Sequence, residues 1–479
     1  MTGKHTPLWR ADEAVDATNG KMLPSDAGVD WQASGVSNDT RTLNEGDLYT
    51  ALKGPNNDGH DYVADAFAKG AAAAMVEHHV EGLGHDAKLL QVASTAHGLR
   101  MLAAAARART DAKICAITGS VGKTGTKELL AAALGSQGRV TATTGNLNNH
   151  YGLPLSLARM PADTDFGIFE MGMNHAGEIT PLSALAKPHV AMITNVEAVH
   201  IEYFKSIEGI AAAKAEVFTG LLSDGVAVIS RDSPFFDYLS AKAKEAGASM
   251  VWGFGVHSFS NARLLAFEPD AEGARVEATV GSQHMKYRLS MPGKHWALNS
   301  VGVLAAAHAM GADLKQAADA LKSVKPTKGR GQLLAIRVDD GLLTVIDETY
   351  NASPVAMRAA FNVLAAHKPG RGGRRIVVLG DMLELGEDSA REHLALADDI
   401  KAHDFDQVFV CGQYMSDILS ALPQDMRGAG TATSQQLAAK VAAKVRGGDL
   451  VMVKGSAGSH MGYVIEALKA LGPLENGSA

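Results

Sequence analysis

Residues 113–134, KICAITGSVGKTGTKELLAAAL, constrain the fold of this chain more than any other stretch. A short apolar run that stops at Gly and Ser reads as a buried strand. The run after it predicts a helix from Lys123 to about Leu134. Between the two lies Thr118-Gly119-Ser120-Val121-Gly122-Lys123-Thr124, followed by Gly125. Glycines let a backbone curl so that its amides face phosphate oxygens, and the start of a helix adds partial positive charge. In such a loop Lys123 would reach the β- and γ-phosphates, and the Thr124 hydroxyl would sit on Mg²⁺. The spacing G-x-x-G-K-T is shorter than the general G-x-x-x-x-G-K-[ST] pattern. Two readings stand at this point: a nucleotide-phosphate loop, or a glycine turn with a chance lysine. The strand–turn–helix setting favours the first.

The same rhythm repeats along the chain. Strands are expected at RVTAT, FGIFEMG and HVAMITNV with helices between them, the sequence sign of a parallel sheet in an α/β fold. Residues from about 250 to 289 break the rhythm with short β-segments, placed at the edge of the same sheet, and the helix ALNSVGVLAAAHAMG closes this block. A second doubly wound block is expected from about Pro326, with strands at LLTVIDETYN, RRIVVLGDM, DQVFVCGQ and DLVMVKGS. It lacks a G-x-G-x-x-G fingerprint at its first turn. The first block, to about residue 110, reads as a small mixed α/β unit: GDLYTALKG, a helix over DYVADAFAKGA, the strand AAAAMVE and the helix LRMLAAAARAR. With 479 residues the chain exceeds what one core organises, so the division predicted is 1–110, 111–325 and 326–479.

Composition removes several classes. A net charge of -7 speaks against a sequence-independent grip on nucleic acid. No apolar stretch nears the roughly 20 residues that span a bilayer, and the polar start lacks the apolar core of a secretion signal. The expectation is a cytoplasmic protein. The only cysteines, Cys115 and Cys411, sit in apolar runs and read as buried thiols, not as a disulfide framework.

Strand ends near the loop supply further candidates. Glu170 ends FGIFE, where a carboxylate could ligate Mg²⁺, although a capping or surface role is the alternative. His200 follows the next strand, and a lone histidine there is as readily a structural hydrogen-bonder. Lys214 lies in a helix beginning near Ser206 and by itself is simply a helical lysine.

Taken together, ITGSVGKTGTKELL, TTGNLNNHYGLPLSL, FEMGMNHAGEI, ITNVEAVHIEYF, AKAEVF, PGKHWALNSVGVLAA, KGRGQ, IDETYNASPVAMRAA, VLGDMLELGEDS and VKGSAGSHM, in this order behind SNDTRTLNEGDLYTALKGPNNDGHDYV, resemble the Mur ligase family over nearly the whole chain. In that family the short loop is the normal form. The resemblance implies three domains: an N-terminal one for a UDP-linked precursor, a central P-loop ATPase-like parallel sheet, and a C-terminal Rossmann-like one that closes over the nucleotide. It implies ATP and two Mg²⁺ sites, with Glu170 and His200 as ligands and Lys214 matching a lysine that is carbamylated in relatives. Asn299, with His295 nearby, matches an adenine contact, Arg330 a phosphate contact and Asp347 a ribose contact. Asn146 and Asn149 match asparagines that face the precursor, while Ser37, Asp39 and Arg41 match the UDP end. Tyr49 replaces the usual Phe, Asn38 stands where an apolar residue is common, and Gly455-Ser456-Ala457 lacks the Arg that relatives carry after Lys454.

The activity implied is ATP-dependent ligation of D-alanyl-D-alanine to a UDP-N-acetylmuramoyl-tripeptide, carried out by a monomer. A sister ligase adding a diamino acid would need an Asp-Asn-Pro-Arg-like motif, which is absent. A folate-polyglutamylating ligase would not need the GDLYTALKG block. A nucleotide-binding protein without ligase activity has no reason to hold Glu170, His200, Asn299 and Arg330 together.

Overall fold

The computed structural model describes residues 7–23, 30–84, 87–199, 201–270, 272–403 and 405–475. Three large sheets follow one another along the chain. The first is five-stranded, in the order Lys21–Leu23, Leu89–Gln91, Ala73–Val76, Asp47–Thr50, Gly35–Ser37, and is parallel except at its Lys21–Leu23 edge. Helix Thr95–Ala108 packs Leu99, Leu102 and Ala106 against Leu48, Met75 and Leu90 of this sheet. The helix expected over DYVADAFAKGA is shorter, Val63–Ala68, behind a 3₁₀ turn at Gly59–Tyr62 that the Asp58 carboxylate caps. Trp9 joins this unit to the next: its indole N–H donates to the Ala158 carbonyl at 2.8 Å, and the Arg109 guanidinium lies 4.0 Å from the ring centre.

The central sheet has nine strands, ordered Gln283–Leu289, Gly273–Val280, Ala262–Asp270, Met250–Gly255, Val226–Ser230, Val190–Ile193, Lys113–Thr118, Phe166–Glu170, Val140–Ala142. The run from Val140–Ala142 to Ala262–Asp270 is parallel, and the last two pairings are antiparallel. Side chains alternate between two cores, as the two-residue period of a strand requires. Cys115 and Ile117 enter one core with Leu130 and Leu304; Ile114 and Ala116 enter the other with Leu153 and Ile210. Both faces are therefore covered by helices, which is why these strands read as continuous apolar runs. Cys115 and Cys411 are buried free thiols.

The third sheet has six strands, ordered Gln332–Val338, Gly341–Glu348, Leu450–Lys454, Arg375–Gly380, Gln407–Cys411, Arg427–Thr431. Its first pair is an antiparallel hairpin and the remaining pairings are parallel. Two of these strands, Gln332–Val338 and Arg427–Thr431, go beyond the sequence expectation. No helix among the described residues is long and apolar enough to cross a membrane.

Candidate active site

Strand Lys113–Thr118 lies between Phe166–Glu170 and Val190–Ile193, so the chain winds outward in both directions from it. A crevice opens at the carboxyl ends of strands where such a sheet switches direction. The glycine turn sits there. Gly122 has φ +86° and caps helix Lys123–Gly135; Gly119 has φ +151°, and a Cβ on it would lie 1.9 Å from Thr194 Oγ1. No side chain fits at either position without moving the loop.

The end of the next strand holds the turn in place. The Thr194 hydroxyl donates to the Val121 carbonyl at 2.7 Å, and the Val121 N–H donates to Asn195 Oδ1 at 2.8 Å. The Ser120 hydroxyl donates to the Glu197 carbonyl and accepts from the Glu197 N–H, both at 2.9 Å. The amides of Gly122, Lys123 and Thr124 have no hydrogen-bond partner among the described residues. They are orphan donors at the start of a 13-residue helix, which together with its dipole make a seat for an anion.

Charge is arranged around that seat. The Lys123 ammonium donates to the Gly119 carbonyl at 2.7 Å. Burial lowers its pKa, the Glu170 carboxylate works against that, and the Arg330 guanidinium adds to it. Glu170 is 2% exposed; its Oε2 accepts from the Thr124 hydroxyl at 2.7 Å and its Oε1 from Asn148 Nδ2 at 2.8 Å. Lys214, on helix Ile207–Ala215 capped by Ser206, is buried, and its side-chain nitrogen makes no hydrogen bond or ion pair among the described residues. Burial first, then the Lys123 charge, hold its pKa well below the usual lysine range. Burial also lowers His295. From the turn that leads into the third sheet comes Arg330, whose guanidinium carbon lies 3.6 Å from the Tyr350 ring centre, and from that sheet Lys454, paired with Glu348 at 3.1 Å.

A cleft of about 620 Å³ runs between the central and third sheets. Of the residues expected from sequence it gathers Ser120, Val121, Gly122, Lys123, Thr124, Gly125, Asn146, Glu170, His295, Asn299 and Arg330. Others lie outside its lining. Lys214 is buried within the field of Lys123. Asp347 spends its carboxylate on the Gly329 N–H at 3.0 Å and on Thr349, and it borders a second, shallower groove. Asn149 accepts from the Tyr151 and Gly152 amides and so starts helix Gly152–Ala158. Ser37 ends strand Gly35–Ser37 of the first sheet, and in the turn after it Asp39 and the exposed Arg41 form a two-point ion pair that lowers the Asp39 pKa. His200 lies outside the described residues.

Several residues of the cleft escaped the sequence reading. Asn148 stands between the two asparagines singled out there, and it alone of the three bonds Glu170. Asn195 is the second residue past strand Val190–Ile193, in the region that marks ligand-facing residues in open α/β sheets, and its side-chain amide tethers the loop. Tyr350 and Lys454 also follow or end strands of the third sheet.

A phosphate loop at the switch point of a parallel sheet, faced across a cleft by cations from a second doubly wound sheet, defines a nucleotide-binding α/β protein. The chain belongs to the Mur ligase family: the Mur ligase family catalytic domain matches residues 32–107, the Mur ligase middle domain residues 117–307, and the Mur ligase glutamate ligase domain residues 329–457. It is 33% identical to the UDP-N-acetylmuramoyl-tripeptide–D-alanyl-D-alanine ligase of Rickettsia prowazekii (strain Madrid E), over 94% of this chain and 99% of that protein. It is also 33% identical to the ligase of the same name from Escherichia coli (strain K12), over 96% and 98%. Among solved structures, MurF from Acinetobacter baumannii superposes with a TM-score of 0.82 at 29% identity, covering 97% of this chain and 99% of that one. MurF ligase from Thermotoga maritima, solved in complex with ADP, gives 0.74 at 26%, covering 91% and 97%.

Proposed function

We propose that this chain is the ADP-forming amide ligase that joins D-alanyl-D-alanine to UDP-N-acetylmuramoyl-tripeptide, the step that completes the pentapeptide precursor of peptidoglycan. The observation that carries the reading is the meeting of Lys123, Thr124, Glu170, Asn299 and Arg330 in one cleft between two sheets. In a chain alike end to end to ligases of that name, this cleft has the charge and the donors that a nucleoside triphosphate needs.

In the reaction the terminal carboxylate of the tripeptide attacks the γ-phosphorus of ATP, giving an acyl phosphate and ADP. The amine of the dipeptide then attacks the acyl carbon, phosphate leaves, and the amine proton is lost to solvent. Two anions must approach in the first step, so the chain's part is positive charge and position. Lys123 and Arg330 offset the developing charge, and the amides of residues 122–124 hold the phosphate chain. Asn299 and His295 face the base and Asn146 the precursor, while Asp347 for the ribose and Asn149, Ser37, Asp39 and Arg41 for the precursor are assigned by the family resemblance, from positions outside the cleft lining. Closure of the third unit over the cleft would exclude water from the acyl phosphate.

The donor set fits Mg²⁺. Thr124 and Glu170 present a hydroxyl and a buried carboxylate 2.7 Å apart, the hard oxygen donors this ion takes. Among the described residues no group of three or more acidic, histidine or cysteine side chains could hold a metal, so phosphate oxygens and water would complete the shell. Bound there, the ion would neutralise charge on the phosphates. His200 and a carbamylated Lys214 are our assignment for a second ion. Burial favours the free amine of Lys214, the form that adds CO₂ with loss of one proton, so that a neutral side chain becomes an anion.

The division 1–110, 111–325 and 326–479 follows these roles: precursor, ATP, and the closing unit. The protein acts as a cytoplasmic monomer, with no nucleic-acid partner and no membrane insertion. The deciding assay is phosphate release with the UDP-tripeptide and D-alanyl-D-alanine, run beside diaminopimelate or lysine as the amine. Release only with the dipeptide is expected. Release only with a diamino acid would make the chain a sister ligase, and nucleotide binding without release would leave a binding protein.

A further inference from the structure

Lys127 is a lysine that the mechanism above does not use. It lies one turn beyond Lys123 on helix Lys123–Gly135 and is 1% exposed. Burying an ammonium is costly unless it is hydrogen-bonded and paired. Here it donates to the Thr143 carbonyl at 2.5 Å and meets Glu128 Oε1 at 2.8 Å. Glu128 is itself 37% exposed, so the pair is half in water, and the bond that reaches into the protein is the one to Thr143.

Thr143 is the point where the edge strand Val140–Ala142 gives way to the loop that lines the cleft. Its N–H donates to the Ile168 carbonyl at 3.0 Å, and its hydroxyl accepts from the Glu170 N–H at 3.1 Å. Beyond it the loop folds on itself, with the Asn148 N–H donating to the Asn146 carbonyl at 2.7 Å, and returns through Asn148 Nδ2 to Glu170. Glu170 in turn accepts from Thr124, on the same helix as Lys127. The bonds form a closed circuit: helix, Thr143, Glu170, helix. Lys127 is the only charged donor in it.

We propose that Lys127 is a positioning residue that couples the nucleotide helix to the acceptor side of the cleft: its ammonium pins the Thr143 carbonyl and thereby sets Asn146, Asn148 and Glu170. The proposal rests on the ligase reading for the kinetics it predicts, but not for the loop order it predicts. An apolar side chain of similar length would fill the space without holding the carbonyl. A role in filling the core alone would show as lost stability, with both substrates affected alike.

The test is Lys127→Met in the full chain, with Lys127→Arg as the conservative variant. For Lys127→Met the expected result is an ADP affinity within about twofold of wild type. The KM for the UDP-tripeptide should rise about tenfold, and kcat should fall. Lys127→Arg, which keeps a charged donor, should recover most of both. Independently of turnover, amide exchange in residues 143–149 of Lys127→Met should speed up while strand Lys113–Thr118 stays protected. Unchanged precursor kinetics would overturn the proposal, as would ADP and precursor affinities weakening in parallel, or unchanged exchange in 143–149. Should wild type itself fail to turn over the tripeptide and dipeptide, the ligase reading falls, and the exchange measurement alone decides on Lys127. Should Lys127→Met not fold, Lys127→Gln, an uncharged donor, carries the same measurements at smaller amplitude.

Discussion

Lys123 and Lys214 illustrate how one residue type acquires two tasks from its surroundings. Burial lowers the Lys123 pKa, but Lys123 faces a carboxylate, Glu170, which works in favour of its charge. Lys214 has no such partner among the described residues; burial and the Lys123 charge both favour its free amine. Lys123→Ala is therefore expected to lower ADP release by about 10³-fold or more, the scale of losing a preorganised charge in a phosphoryl-transfer site. A variant turning over at the wild-type rate in a coupled ADP assay would remove the loop from the chemistry. Lys214→Ala should be nearly inactive for a different reason, and short-chain carboxylic acids in the buffer should restore part of its rate by standing in for the missing anion. Full activity without any added acid would rule out the carbamate.

Whole elements depend on similar single contacts. His393 on helix Ser389–Ala402 donates from Nδ1 to the Ser389 carbonyl at 2.6 Å and accepts at Nε2 from the Met382 N–H at 2.8 Å, which fixes one neutral tautomer. Burial lowers its pKa below the ordinary histidine value. A depressed histidine gives stability that is complete above the unfolded pKa of about 6.5 and is lost as pH falls toward the folded value. Between those points wild type should lose up to about 1.4 kcal/mol per pH unit through this residue. His393→Asn should be less stable at pH 7 yet lack that component, read from urea midpoints of both proteins across pH 7 to 5. Equal slopes would place the proton elsewhere. His393 was not legible in the sequence, because its partners are backbone atoms that only the folded turn at Met382 presents. Strand Lys113–Thr118 was legible, since both of its faces are buried and Gly119 ends it. Hairpin Gln332–Val338 with Gly341–Glu348 carried a signal in Asp340-Gly341, passed over beside the stronger rhythm of the parallel strands. Edge strand Arg427–Thr431, RGAGT, has almost no β-forming side chains, and its pairing is set by Gln407–Cys411 beside it. The cleft divides the same way. The glycine turn with Lys123, and Glu170 at its strand end, were readable from their setting, and Asn299 and Arg330 only through the family resemblance, whereas Asn148 and Asn149 trade roles across one peptide bond, one holding Glu170 and the other accepting from the amides that start a helix.

At the scale of the molecule, the cleft is built from two sheets that share no strand. Lys123, Glu170 and Asn299 belong to the unit around the central one, while Arg330, Tyr350 and Lys454 arrive from the unit around the third. The two halves meet electrostatically even across the cleft, as His295 on the central side feels both Glu348 and Lys454. A ligand spanning the cleft should therefore stabilise both sheets, whereas one bound only to the glycine turn would stabilise the central one alone. A non-hydrolysable ATP analogue at 100 times its Kd contributes about 2.7 kcal/mol to whatever it binds. In wild type that contribution should appear as slowed amide exchange in residues 113–135 and also in 329–360. Arg330→Ala should keep the first and lose most of the second if, as we propose, the guanidinium is the third unit's contact to the phosphates. Protection confined to 113–135 in wild type would mean that the nucleotide alone does not draw the third sheet in. The closing step would then belong to the precursor or the dipeptide, and the same measurement repeated with each of them would show which one supplies it.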